Sequence, residues 1–442
     1  MTHRSSTSFG IFRPSTPLSL VASTLIRQRN TMAWRLVVAF LLLPLVAPQE
    51  CSSYVMNEIA KIPAPLVNDS YVLRATASGN VVAFIETNGD GSQLPRRGTA
   101  VLLHVDGTHV TVGGTYAVVG DIALGRNGTL AAMAFHNDPN ENLVPDYVRV
   151  LERNANGDWE ALGNDIETEL DNFQSLYWNG ETLVLKENFG SILQYSFVLG
   201  VWTQLPGRLP GDLDFAVDGS IASSGRSSGS DSYKGHGDIF RYNGTSWELE
   251  WTTVTFDVGH FWVHTDVSED VVVFGFEKQR NEMEIKSGTA RVVHFVDGNW
   301  TQTAELYPPE GGHINDRFGG SVSLSQDGEW LAVGADTLDT NSLDANGGIF
   351  LYRQGMNRTW DLVDLVVGDA NSDWFGGATA LNEDATLMIG AGYANYVKVF
   401  RRECGRNRDV AGSSSTSASS VAQISFLGLA FGLLFNAGIT TY

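Results

Sequence analysis

The chain has 442 residues, a formal net charge of −21, 43% hydrophobic residues and two cysteines. A surface this acidic repels nucleic acid and anionic lipid, which excludes a nucleic-acid partner. Eleven Trp and 22 Phe supply a large core and exclude a disordered chain, and two Cys exclude a Cys-rich metal framework.

The first 49 residues hold five Arg and no acid, which leaves −26 for the remainder. Residues 1–31 are rich in Ser, Thr and Arg and read either as an extended leader or as an upstream start that is not used. Met32-Ala33-Trp34-Arg35 followed by the apolar stretch Leu36 to Val46 has the form of a secretory signal, with cleavage expected near Ala47 to Gln49.

Residues 50–405 carry a phrase that recurs at a period of about 50 residues, which marks an array of supersecondary units. Its first landmark is a tight turn: Ser78-Gly79-Asn80, Asn127-Gly128, Asn179-Gly180, Asp218-Gly219, Glu269-Asp270, Asp327-Gly328 and Glu383-Asp384. Asn, Asp and Gly tolerate the positive φ of a two-residue hairpin. Apolar runs such as Val81-Val82-Ala83-Phe84 and Leu130-Ala131-Ala132-Met133-Ala134 follow, as in strands covered on both faces. The second landmark is a Val- and aromatic-rich strand, a turn, then Trp. It runs from Tyr147 to Trp159, Ile192 to Trp202, Ile239 to Trp247, Val292 to Trp300 and Ile349 to Trp360. These Trp rings are expected to pack one unit on the next. The unit is one blade of a β-propeller, and seven fit between Leu66 and Cys404. The fold class is therefore all-β, a seven-bladed propeller.

The phrase is clearest at Asp316-Arg317-Phe318-Gly319-Gly320-Ser321-Val322, followed by Leu331-Ala332-Val333-Gly334-Ala335. It returns at Phe375-Gly376-Gly377-Ala378 and Leu387-Met388-Ile389-Gly390-Ala391. In this form, over residues 316–402, the chain resembles the FG-GAP repeat of integrin-α-type propellers. The Tyr352 to Trp360 spacing also resembles kelch-like blades. The resemblance implies a seven-bladed, extracellular, ligand-binding propeller. It also implies a calcium loop between a blade's first two strands, but those turns are too short here to hold one.

The candidate metal site lies elsewhere. Asp138, Asn140, Asn142 and Asp146 stand at positions 1, 3, 5 and 9 of a calcium-type loop, where alternate oxygen ligands wrap the ion. Leu143 occupies the position where such loops carry Gly, so a solvated polar loop is the competing reading. A second acidic loop, Asp336, Asp339, Asn341 and Asp344, has irregular spacing. In His260-Phe261-Trp262-Val263-His264, strand alternation places His260, Trp262 and His264 on one side; packed or hydrogen-bonded His competes there with a metal pair. No phosphate loop, nucleophile elbow or zinc-protease helix is present, and no catalytic residue can be named.

Five sequons, Asn68, Asn127, Asn243, Asn299 and Asn357, are expected to carry N-glycans; the last three lie at the turn before a Trp strand. Residues 406–423 are a Ser-rich spacer and 424–442 an apolar tail with no Lys or Arg after it. That end has the form of a GPI signal, attached at one of Gly412, Ser413, Ser414 or Ser415, with a spanning tail helix as the alternative.

The seventh unit ends without its own fourth strand, while Tyr54 to Ala60 is a spare segment before the first unit. If that segment pairs antiparallel with Tyr396 to Phe400, it completes the last blade and brings Cys51 beside Cys404. A Cys51–Cys404 disulfide would then clasp the ring. The function expected is a non-catalytic, cell-surface propeller that binds an extracellular protein or glycan. It would be tethered to the outer face of the plasma membrane by its lipid anchor or tail, with calcium as the one candidate cofactor. A secreted glycan-acting hydrolase or lyase and a structural wall or coat protein are the alternatives.

Overall fold

The computed structural model describes residues 51–405, apart from 52, 64–69, 89–96, 120, 126, 136–146, 168–172, 181, 188–190, 206–208, 211–213, 228–233, 244, 257–262, 269, 280–286, 310–311, 341 and 394–395. The described residues form seven antiparallel sheets of four or five strands, taken up in chain order. Six use consecutive strands, beginning at Ser70, Ile122, Phe173, Asp214, Val263 and Ser321. The seventh takes three strands from the end of the chain, Ala378–Leu381, Leu387–Ala391 and Tyr396–Cys404, and its outermost strand, Tyr54–Pro63, from the start. Tyr54 pairs with Cys404 and Pro63 with Tyr396. The first strands of neighbouring blades touch in ring order, the first blade meeting the seventh.

Burial follows position in the blade. Second strands are sandwiched on both faces, and Val271–Phe276, Trp330–Ala335 and Leu387–Ala391 are buried at every position. Fourth strands lie at the rim, and Trp360–Val367 has no fully buried residue. The Trp residues bridge blades as expected. Trp159 Nε1 donates to His104 Nε2 of the preceding blade at 3.2 Å, Trp300 Nε1 to Glu250 at 2.8 Å and Trp202 Nε1 to the Leu162 carbonyl at 2.9 Å.

The recurrent phrase is explained by two kinds of contact between blades. The first is backbone on backbone. A Cβ added to Gly275 would lie 2.1 Å from the Gly319 carbonyl oxygen of the next blade, and one added to Gly334 would lie 2.0 Å from that of Gly376. The Gly of one blade's second strand thus receives the Phe-Gly corner of the next, and Phe318 and Phe375 are wholly buried there. The second is a belt of hydrogen bonds through the hairpin turns. Gly128 N–H donates to Ser78 Oγ at 2.9 Å, Gly219 N–H to Asn179 Oδ1 at 2.7 Å and Gln326 N–H to the Glu383 carbonyl at 2.8 Å. Glu383 closes the belt across 304 residues by accepting from Gly79 N–H at 2.5 Å, and it also accepts from Ser78 Oγ.

Candidate functional site

The first strands enclose a central channel. One end holds a cavity of about 290 Å³ bordered by Gly320 and Gly377, where the inner strands begin. The other holds about 330 Å³ among the hairpin turns, and both are walled by Ala77, Asp266, Leu324 and Leu381. Two carboxylates on or next to the inner strands, Asp121 and Asp266, accept backbone hydrogen bonds. Asp121 accepts from Ile122 N–H and from Leu176 N–H of the next blade, each at 2.8 Å. Asp266 accepts from Val267 N–H at 2.9 Å and from Leu324 N–H of the next blade at 2.7 Å. Both therefore stitch adjacent blades together. Arg74 sits 3.5 Å from Asp121 and 5.0 Å above the Tyr177 ring, and His264 and Thr379 complete this polar wall.

Beside the glycine-bordered end lie the corners of the sixth and seventh blades. Arg317 and Trp374 hold equivalent positions, both with left-handed backbone, φ 56° and 50°. Bulky residues adopt that region only where packing over-determines them. The Arg317 guanidinium stands 5.5 Å from the Trp374 ring, and Trp374 meets Tyr393 edge-on at 5.0 Å, with Tyr393 52% exposed. Asp336 accepts from Arg317 Nη1 at 3.2 Å. Its carboxyl is pushed up to about 6, first by burial and then by the charge of Glu277, against the lowering effects of Arg317 and His264.

The sequence-derived sites fare unevenly. Asp138, Asn140, Asn142 and Asp146 lie outside the described residues, as do Asn68, His260, Trp262 and the Gly412 to Ser415 segment. His264 is half-buried at the channel wall. In the second acidic loop Asp339 Oδ1 accepts from Ala345 N–H at 2.6 Å and Asp336 turns to Arg317, so those two carboxylates serve local structure. No cluster of three His, Cys, Asp or Glu able to hold a metal occurs among the described residues. Asn127, Asn243, Asn299 and Asn357 are all exposed. Neither cysteine is free; Cys51 and Cys404 are disulfide-bonded. Arg74, Tyr177, Trp374, Tyr393 and Thr379 were not singled out from sequence. Their only signal was position, on inner strands or at the Phe-Gly corner.

Residues 300–352 match the family model for the FG-GAP repeat. No curated protein matches the chain. Similar solved structures include Sqt1 from Chaetomium thermophilum, at TM-score 0.53 and 11% identity over 79% of this chain and 100% of that one. A chain of the Mitotic Checkpoint Complex aligns at TM-score 0.50 and 11% identity, over 90% of this chain and 98% of that one. Likeness at such identity is a likeness of fold alone.

Proposed function

We propose that this chain, an FG-GAP-type seven-bladed propeller, is a cell-surface binding module that presents the channel end bearing the Phe-Gly corners to an extracellular protein or glycan. The observation that carries the reading is the cluster of Arg317, Trp374 and half-exposed Tyr393 beside the polar cavity. Aromatic and Arg side chains dominate the energetics of recognition sites. The occupied state of Asp121 and Asp266 supports binding over hydrolysis, because carboxylates fixed by backbone N–H groups are poorly placed to exchange a proton with a substrate.

Secretion is supported by the signal-like start, and glycosylation by four exposed sequons in or beside turns. Anchoring is supported by the spacer and charge-free tail. Calcium at Asp138, Asn140, Asn142 and Asp146 belongs to the same proposal. Phosphatidylinositol-specific phospholipase C is expected to release the protein from its cells; retention with the 424–442 peptide still attached would instead identify a spanning tail. The binding reading is tested with the full-length protein on a glycan array and on intact cells, beside a glycan-hydrolysis screen. Retention that Trp374→Ala together with Tyr393→Ala removes is the expected result. Turnover of a glycan would overturn the reading in favour of an enzyme.

A further inference from the structure

Strand direction fixes which end of the ring each connection occupies. Strands alternate in direction within a blade. Turns from first to second strand and from third to fourth therefore share one end, the hairpin face. The remaining connections share the other, the Phe-Gly face. Hydrogen bonds bear this out where third strands end. Tyr242 N–H donates to the Ser220 carbonyl, Phe295 N–H to that of Asp270 and Gln354 N–H to that of Glu329, each at 2.8 Å. Each bond ties a third-to-fourth turn to the first hairpin of its own blade.

Four sequons lie on this one face. Asn127 is in the first hairpin of the second blade, between Ile122–Gly125 and Leu130–Phe135. Asn243, Asn299 and Asn357 follow the third strands of the fourth, fifth and sixth blades, which end at Tyr242, Val296 and Gln354. All four are exposed, and Asn127 also borders the cavity of about 330 Å³ at this end of the channel. Asn68, the fifth sequon, lies outside the described residues.

The chain also leaves the propeller here. Tyr396–Cys404 is a third strand. Near its end Arg402 N–H donates to the Thr386 carbonyl at 2.9 Å and Arg402 Nη2 to the Asp384 carbonyl at 3.0 Å, beside the first hairpin of that blade. Gly405 thus leads toward the spacer from the hairpin face. Glycans are bulky and hydrophilic. A face that carries four of them and the exit of the chain keeps little surface for a partner. The Phe-Gly face, with Arg317, Trp374 and Tyr393, has no sequon among the described residues.

We propose that the hairpin face is a glycan-coated back, with N-glycans on Asn127, Asn243, Asn299 and Asn357 and the Asn127 glycan over the channel mouth, so that a protein or glycan partner docks only on the Phe-Gly face. The proposal deepens the binding function above and rests on it for secretion and for the partner.

The test has two arms, both on the full-length protein displayed by its own cells. Peptide N-glycosidase F converts each glycosylated Asn to Asp, and mass spectrometry of the treated protein is expected to mark Asn127 and at least two of the other three. Anything less overturns the coat. In the second arm, Ala370→Asn completes a sequon with Asn371 and Ser372 in the exposed connection between the sixth and seventh blades, on the Phe-Gly face. Its glycosylated form is expected to lower retention of cells or glycans about tenfold or more. Ala370→Gln, of similar size and without a sequon, is expected to keep it. Enzymatic removal of the native glycans is expected to leave wild-type retention within about twofold. If Ala370→Asn stays unglycosylated or fails to fold, His313→Asn with Asn315→Ser, on the same face between the fifth and sixth blades, decides. Undiminished retention by the glycosylated variant, or retention lost on removing the native glycans, overturns the docking face. Wild-type protein that retains neither cells nor glycans sinks the adhesion reading alone, and occupancy then decides the coat; retention by a protein with bare sequons does the reverse.

Discussion

His294 shows how one buried side chain couples the ring to pH. It lies on the third strand of the fifth blade, with Nδ1 paired to Thr303 Oγ1 at 2.6 Å, Nε2 against Gln354 of the next blade, and its ring 6.4 Å from Trp360. Burial first, and then the Arg358 charge, lower its pKa to about 4, against a smaller raising effect of Asp270. The unfolded chain, with His near 6.5, therefore takes up the proton before the folded chain does. The neutral ring's contribution is fully present above pH 6.5 and is lost as pH falls toward 4. Urea midpoints measured at pH 7.5, 6 and 5 should decline, and His294→Gln should flatten that decline; an identical slope in the variant would remove His294 as its source. Asp336, raised to about 6, acts with the opposite sign. Its charged form is disfavoured above that value, and the penalty is relieved as pH falls from about 6 toward the usual carboxylate range.

At the scale of the strand and its corner, the FG-GAP phrase encodes a contact rather than a surface. Gly334 is fully surrounded because the Gly376 carbonyl of the next blade occupies the place a side chain would take, 2.0 Å from a Cβ, with Ser321 Oγ at 2.2 Å. A methyl group there forces two backbones apart. Gly334→Ala is expected to destabilise the fold by about 1–3 kcal/mol, the usual cost of overpacking. Gly334 lies outside the positive-φ region, so its loss reports the clash alone, whereas Gly298→Ala, at a turn where a Cβ would meet nothing, reports only the cost of a positive φ, here 83°. An unchanged denaturant midpoint in Gly334→Ala would show that the blade contact is unimportant.

This contact explains what could be read in advance. Hairpin turns, buried second strands and bridging Trp rings repeat in every blade, so periodicity exposes them. The channel residues do not repeat. Arg74, Tyr177, His264 and Thr379 occupy inner strands of the first, third, fifth and seventh blades and meet only across the ring. Nothing in local spacing announces such a convergence. The same holds for Arg317 and Trp374, whose equivalent places in successive repeats were legible, while their stacking across the blade boundary was not.

For the whole molecule the governing fact is that the ring closes with strands from both ends of the chain. The register from Tyr54↔Cys404 to Pro63↔Tyr396 is backed by side chains from three segments. Lys61 Nζ lies 2.6 Å and Lys398 Nζ 2.5 Å from opposite oxygens of Asp369, in the connection between the sixth and seventh blades. Burial alone would raise the Asp369 carboxyl, but hydrogen bonds and charge from Lys398 and Lys61 outweigh it and hold it below the usual range. At the other end of the strand, Tyr54 meets Trp330 edge-on at 5.1 Å, and Arg402 covers the Trp330 ring at 3.9 Å. The first strand is thus docked without help from sulfur. The Cys51–Cys404 bond acts instead on the unfolded chain, whose ends it joins across almost the whole propeller. Cys51→Ser with Cys404→Ser should therefore keep the native far-UV spectrum while losing up to roughly 6 kcal/mol in urea titration, the chain-entropy figure for so long a loop. Adding Lys61→Ala and Tyr54→Ala to that pair removes the non-covalent docking as well, and the seventh blade should then open first, with protection of the Tyr396–Cys404 amides lost in hydrogen exchange before the rest of the ring. If the cysteine variant alone loses that protection, the disulfide holds the strand in place. If neither variant loses it, the blade does not depend on its borrowed strand.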